Sequence, residues 1–255
     1  MALTADDFGL SLAVNEGIER AYRDGVLTHA SLMVFGDAAA DAVARARRLP
    51  GLRVGLHLVV IEGRGSDGCH IGSGQFGLGL RYAWRRRALA DEIRAQFAAF
   101  AATGLPLSHA DAHKHMHLHP VVGALLVRIG REFGLCRVRV PREPAAVMAR
   151  CGVPATLGAR ALFAGAGVLR RQVRAAGMRA PDAVFGLAWS GHMTETRLLR
   201  LLPLLPAGDV ELYFHPASGR DATLDRLMPE YEHEAELAAL LSPAVRAALA
   251  ARPAG

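Results

Sequence analysis

The chain has 255 residues, 51% of them hydrophobic, which is enough to bury one large core, and residues 1–255 are read as a single domain. The net charge of +6 does not point to nucleic acid, because every basic residue except Lys114 is an arginine scattered through Ala-rich sequence and aromatics are only 6%. No run of 18 apolar residues marks a membrane span and no basic-then-apolar leader precedes Asp6 and Asp7, so a cytoplasmic location is expected.

In chain order, residues 2–5 predict a strand that ends at Asp6-Asp7-Phe8-Gly9. Residues 12–23 predict a helix stopped by Gly25, and residues 38–49 a second helix behind an N-capping Asp37. Residues 28–34 and 53–59 predict the next two strands. The Gly-rich stretch 62–80 lacks periodicity and predicts a loop over one end of the sheet. A helix over 88–102, a strand over 107–110, a helix over 121–133 behind Pro120 and a strand over 136–140 follow. Residues 142–181 predict helices outside the main rhythm. Strands over 183–188 and 209–214 and a helical tail from residue 235 complete the chain. This alternation predicts a parallel sheet, open or closed into a barrel. The cysteines Cys69, Cys136 and Cys151 lack metal-site spacing and are expected to be reduced, at least two of them as packing residues.

Five features carry chemistry. The tract Ser108–Pro120 places His109, Asp111, His113, His115, His117 and His119 at every second position, which in extended backbone presents several ligands on one side. The plain alternative is a solvated His-rich tract. Asp6 and Asp7 form a carboxylate pair that a cation or proton must separate. His57 lies inside an apolar strand, His215-Pro216 follows another, and Arg139, Arg142 and Glu143 cluster after a third. Asp6, Asp7, His57, His113, Arg142 and His215 all fall near the C-terminal ends of predicted strands, the face where parallel α/β folds build active sites.

Ala5-Asp6-Asp7-Phe8-Gly9-Leu10-Ser11, Gly55-Leu56-His57-Leu58, His109-x-Asp111-x-His113-x-His115 and His215-Pro216 resemble, in order, the motifs of the YdjC/ChbG-like carbohydrate deacetylases. Within that family, residues 112–120 and the Arg-Val-Pro-Arg-Glu-Pro ending of 135–144 are most similar to the hopanoid-biosynthesis-associated HpnK branch. The resemblance implies an α/β fold, a distorted (β/α) barrel of the polysaccharide-deacetylase type. It implies one divalent metal ion, zinc or magnesium, on Asp7, His57 and His113, with Asp6 as catalytic base and His215 as general acid; Arg142, near a neighbouring strand end, is expected to orient Asp6 by pairing with it. The implied reaction removes the N-acetyl group of an amino sugar, on N-acetylglucosaminyl-bacteriohopanetetrol for the HpnK branch. Soluble chitooligosaccharides are the alternative substrate, and a metal-dependent phosphoesterase is the rival chemistry. The partner is then an N-acetylated glycolipid or oligosaccharide, with no nucleic acid and with a homodimer allowed. Two basic, partly apolar stretches, 82–89 and 161–174, predict weak peripheral contact with the inner membrane.

Overall fold

The computed structural model describes residues 1–72, 85–154 and 156–252. Six parallel strands form one curled sheet in the order β6-β3-β2-β1-β8-β7: β1 Ala2–Phe8, β2 His29–Leu32, β3 Arg53–Leu58, β6 Ala110–Ala112, β7 Ala183–Phe185 and β8 Val210–Phe214. Helices flank this half-barrel, and none among the described residues is long and apolar enough to cross a membrane. The predicted strand over 136–140 is not a sheet member in its own right. Its backbone instead lies between Ala110 of β6 and Arg179, and the chain reaches β7 only past it, at Arg142. Ala110 N–H donates to Arg137 O and Arg139 N–H to Ala110 O, both at 3.0 Å, while Val184 N–H donates to Arg142 O at 3.1 Å. These backbone bonds line the open side of the half-barrel.

Register decides which side chains enter the barrel. Thr4 pairs with His29, Ser31 with Gly55 and His57 with Asp111. Partners across a parallel sheet share a face, so these residues line the interior with Asp6, His109, Arg139, Glu211 and Tyr213. The alternate positions, such as Ala5, Leu32, Leu56, Val138 and Phe214, are equally buried but pack under the helices. Such a two-sided core is expected of a parallel sheet covered by helices.

The helix α1, Leu12–Arg23, has the predicted bounds, because Ser11 caps its first turn by accepting from Val14 N–H. α2, Ala39–Arg47, differs: Ala38 holds the cap position without a side-chain bond, and Asp37 pairs with Arg64 instead, so the predicted Asp37 cap is not formed. The loop predicted over 62–80 contains a two-stranded hairpin, β4 Gly63–Arg64 and β5 His70–Ile71, and its later part lies outside the described residues. Of the three cysteines only Cys151 is buried, so packing accounts for one and not two; Cys69 and Cys136 are exposed.

Candidate active site

β1 ends in a bulge. Its pairing with β2 is regular through Ala5 and resumes at Phe8, and between them Asp7 takes φ 62. A left-handed Asp costs strain that the surroundings must hold, and such bulges re-aim a side chain. Asp6 therefore keeps its inward position while Asp7 turns toward the mouth of the barrel. Gly9, at φ 96, then carries the chain past β2, where a Cβ would meet Met33 O at 2.9 Å.

Asp7 Oδ1 lies 3.1 Å from His113 Nδ1 and 3.2 Å from His57 Nε2, and its Oδ2 is buried without a hydrogen-bond partner. The other ring nitrogen of His57, Nδ1, lies 2.6 Å from Asp111 Oδ1. Burial opposes charge on both Asp7 and His57, but His113 beside Asp7 and Asp111 beside His57 outweigh it. Asp7 is held well below the usual carboxylate range by His113 and His57, and His57 is pushed up to about 10 by Asp111 and Asp7.

These residues fit a divalent cation. One ligand atom each from Asp7, His57 and His113 lies within 4.8 Å of the others. At metal–ligand distances of about 2.0–2.1 Å, neighbouring ligand atoms are about 3.0–3.4 Å apart. A neutral His57 that donates from Nδ1 to Asp111 turns the Nε2 lone pair onto an Asp7 oxygen 3.2 Å away. Two acceptors at that distance need a cation or a proton between them, and a carboxylate behind a ligating imidazole is the usual support for a metal. The donor set of two nitrogens and one oxygen suits zinc and admits magnesium.

Asp6 pairs with Arg139, not with Arg142. Arg139 Nη1 and Nη2 reach its two oxygens at 2.6 and 2.7 Å. The same guanidinium bonds Glu211 at 2.7 Å and Asp111 at 2.9 Å and is fully buried. Arg142 lies over the Phe163 ring, 4.4 Å from its centroid. The correction follows from strand parity: Arg139 alternates inward between Val138 and Val140, whereas Arg142 is past the bridge that pairs Val138 with Ala110. Burial raises Asp6 to about 6, with Asp111 adding to the rise and Arg139 and His57 opposing it.

The His-rich tract is extended only as far as Ala112. Lys114 and His115 adopt φ 50 and 55 inside a 3-10 turn over His113–Leu118, so alternate presentation ends there. His115 Nε2 meets Tyr213 OH at 2.9 Å, and His117 Nε2 donates to Arg139 O at 3.0 Å. His119 leads into the helix Pro120–Glu132. Lys114 forms an ion pair with Glu62.

A cavity of about 260 Å³ opens over this cluster, lined by Asp6, His57, His113, His215, Ser190 and Tyr231 among others. His215 contacts the rings of Tyr213 and Tyr231 edge-on, at 5.8 and 5.0 Å. Burial brings His215 down to about 3, against the pull of Asp7. Glu236 accepts the backbone N–H of His215 and that of Met193, and burial pushes it up to about 8. Neither Tyr231 nor Glu236 is marked in the sequence, since Tyr231 lies just before the helix His233–Leu241 and Glu236 within it, with no motif around either. Arg139, Glu211 and Ser31 were findable as polar residues alternating with apolar ones in strand segments.

Comparison with known proteins agrees with this architecture. The chain is 38% identical over 136 residues to a carbohydrate deacetylase of Vibrio cholerae, covering 51% of this chain and 54% of that protein. It is 41% identical over 143 residues to one of Vibrio vulnificus strain YJ016, with the same coverage. The chain thus spans about half the length of these Vibrio relatives. A chitooligosaccharide deacetylase of Serratia marcescens is 30% identical over 267 residues, covering 99% of this chain and 94% of that one. Among solved structures, a candidate cellobiose-phosphate cleavage protein of Enterococcus faecalis superposes with TM-score 0.70 at 19% identity, over 98% of this chain and 93% of the other. The lactam utilization protein of Thermus thermophilus gives 0.54 at 18% identity, over 98% and 96%. These two share the fold. The model of the YdjC-like protein family matches residues 1–251, and the chain belongs to that family.

Proposed function

We propose that this protein is a metal-dependent hydrolase that removes the acetyl group from an N-acetylated amino sugar. The observation that carries this reading is the cluster of Asp7, His57 and His113, in which Asp7 Oδ2 is buried without a partner, beside a cavity that Asp6 and His215 also line. A divalent ion held by Asp7, His57 and His113 would polarise the amide carbonyl and acidify water. Asp6 accepts the proton of the attacking water. Its two bonds to Arg139 fix the carboxylate plane and leave further lone pairs free. A value near 6 suits a base at neutral pH, ionised yet still basic. His215 is neutral in the resting site, so it must gain a proton before it can act on the leaving nitrogen. The proton that Asp6 takes from water, released into the cavity both residues line, supplies it, and His215 returns to neutral when that proton passes to the nitrogen.

The names of the Vibrio and Serratia relatives favour an N-acetylated oligosaccharide. The motif resemblance to the HpnK branch favours N-acetylglucosaminyl-bacteriohopanetetrol, which would bring the enzyme to a membrane surface. Exposed Arg85, Arg86 and Arg87, with Phe163 and Val168, are the surface groups that would meet it; Tyr82, Trp84 and the side chain of Leu162 lie outside the described residues. Acetate release from chitooligosaccharides and from the glycolipid, assayed side by side with zinc and with magnesium, separates the two substrates. Asp6→Asn should keep the metal and lose on the order of 10²–10⁴-fold in turnover. No acetate from any N-acetylated sugar, with metal bound, would sink the deacetylase reading.

A further inference from the structure

Two residues of the sequence motifs, His109 and Gly55, touch neither the metal cluster nor the cavity. Both belong to a buried string of hydrogen bonds inside the barrel. Ser108 Oγ lies 2.6 Å from His109 Nδ1, and His109 Nε2 lies 3.1 Å from Ser31 Oγ. Ser31 Oγ donates to Asp111 Oδ2 at 2.7 Å, and Asp111 Oδ1 meets His57 Nδ1 at 2.6 Å. Gly55 is the space in which the His109 ring lies, since a Cβ there would come within 2.5 Å of the ring. Ser31 and Asp111 are fully buried, and His109 is 2% exposed.

The string has one consistent proton order. Asp111, an ionised acceptor, takes the Ser31 hydroxyl proton. Ser31 Oγ can then accept only from His109 Nε2–H, which makes His109 Nδ1 an acceptor for the Ser108 hydroxyl. At the other end, Asp111 Oδ1 accepts from His57 Nδ1–H, which leaves Nε2 as the ring nitrogen that faces Asp7 Oδ1, 3.2 Å away.

We propose that His109 and Ser31 are positioning residues for His57, acting through Asp111. They hold the carboxylate so that His57 presents Nε2, and not Nδ1, to the cation. The inference rests on the reading of Asp7, His57 and His113 as the metal ligands. Arg139 also contacts Asp111 Oδ2, at 2.9 Å, but it carries Asp6 and Glu211 as well. Among the described residues, the side-chain bonds of Ser31 and His109 lead to the site through Asp111.

The test is zinc affinity, by competition with a chelator, for the wild-type protein, Ser31→Ala, His109→Phe and the double variant. Leu56→Ala, which empties the outer face of the same strand as His57, serves as the control for general damage. Each string variant should bind zinc on the order of 10–100-fold more weakly. The double variant should lose no more than the weaker single one, because the string is cut once in either case. Proton NMR of the zinc-loaded protein adds a local readout: the slowly exchanging His57 Nδ1–H resonance should be sharp in wild type and in Leu56→Ala, and broadened or shifted in Ser31→Ala. Wild-type affinity in both string variants, or losses that multiply in the double variant, overturns the proposal while leaving the metal site standing. Failure of the wild-type protein itself to bind zinc or magnesium overturns the metal site, and the proposal with it.

Discussion

The two faces of the barrel strands are buried alike and built differently. On the outer face, Leu3, Ala5, Leu32, Val54, Leu56, Leu58 and Phe214 pack under helices, with exposures of 0–4%. On the inner face, Thr4, Asp6, Ser31, His57, Asp111, Arg139, Glu211 and Tyr213 are no more exposed, at 0–2%. Outer burial is favourable in itself, at about 25 cal/mol per Å² of apolar surface. Inner burial is unfavourable unless each group finds a partner. The inner residues do: Thr4 donates to Glu211, Arg139 binds Glu211, Asp6 and Asp111, and Asp111 takes Ser31 and His57. The outer face thus drives folding, and the inner face places charge where chemistry needs it. A one-residue slip of a strand would exchange the two sets, so both faces pin the register.

If that division holds, the inner face should be the less forgiving of single changes. Arg139→Met keeps most of the volume but leaves Asp6, Asp111 and Glu211 without their shared cation. We expect a loss of about 3–5 kcal/mol in urea unfolding. Arg139→Lys should recover little, because one ammonium cannot reproduce bonds from three guanidinium nitrogens to three carboxylates. A loss under 1 kcal/mol, set against the order-of-magnitude range for a broken buried pair, would mean that the carboxylates share protons instead.

On the outer face, Leu56→Ala should cost about 2–5 kcal/mol by the same measurement, from lost burial and the cavity left behind. Its signature is selectivity: folded molecules should keep wild-type zinc affinity and wild-type turnover. Altered metal affinity in Leu56→Ala would show that the two faces are mechanically coupled, contrary to the division drawn here.

The same division explains what could be read from the sequence. Six of the seven expected strands exist, because outer-face positions such as Leu3, Leu32 and Leu56 give each run its apolar character. The seventh, around Val138, dissolves into bridges, a matter of curvature that local pattern does not encode. The cluster of Asp7, His57 and His113 was legible because strand ends in parallel folds share a face. Proximity to a strand end points to Arg142, whereas alternation points to Arg139, which sits between two valines at the inward position. The His tract misled in the other direction. Its alternation was visible, but Lys114 and His115 turn left-handed after β6, and no residue there announces it. Tyr231, which lines the cavity, and Glu236, which bonds the backbone of His215, come from distant sequence and are placed by the packing of the helix His233–Leu241 and the turn before it.

The smallest expected effect concerns pH, and it isolates one inner-face residue. Burial lowers His29 to about 3, and the neighbouring His109 ring, 5.7 Å away, adds to the fall. Glu211 opposes it, while Arg53 and Arg137 act in the same sense as His109. In the unfolded chain His29 titrates near its ordinary value of 6.5. Between that value and about 3, the unfolded state binds a proton that the folded state refuses, so acid favours unfolding. Above pH 6.5 both states are neutral at His29 and the effect vanishes. Other groups titrate in the same range with mixed signs: His117 is lowered to about 4, whereas Asp6 is raised to about 6 and Glu236 to about 8. The total pH profile is therefore a sum, and the informative quantity is a difference. His29→Gln keeps a polar side chain beside Thr28 Oγ1, now 2.7 Å from His29 Nδ1, but cannot be protonated. Whatever it costs at pH 7.5, that cost should shrink as pH falls, by about 1–2 kcal/mol at pH 5, as wild type alone suffers the penalty. Urea unfolding of both proteins at pH 7.5, 6 and 5 measures it. A gap that stays constant over this range would show that His29 is protonated in the fold, with Glu211 holding the charge, and the inner face would then carry a further cation beside Arg139 and His57.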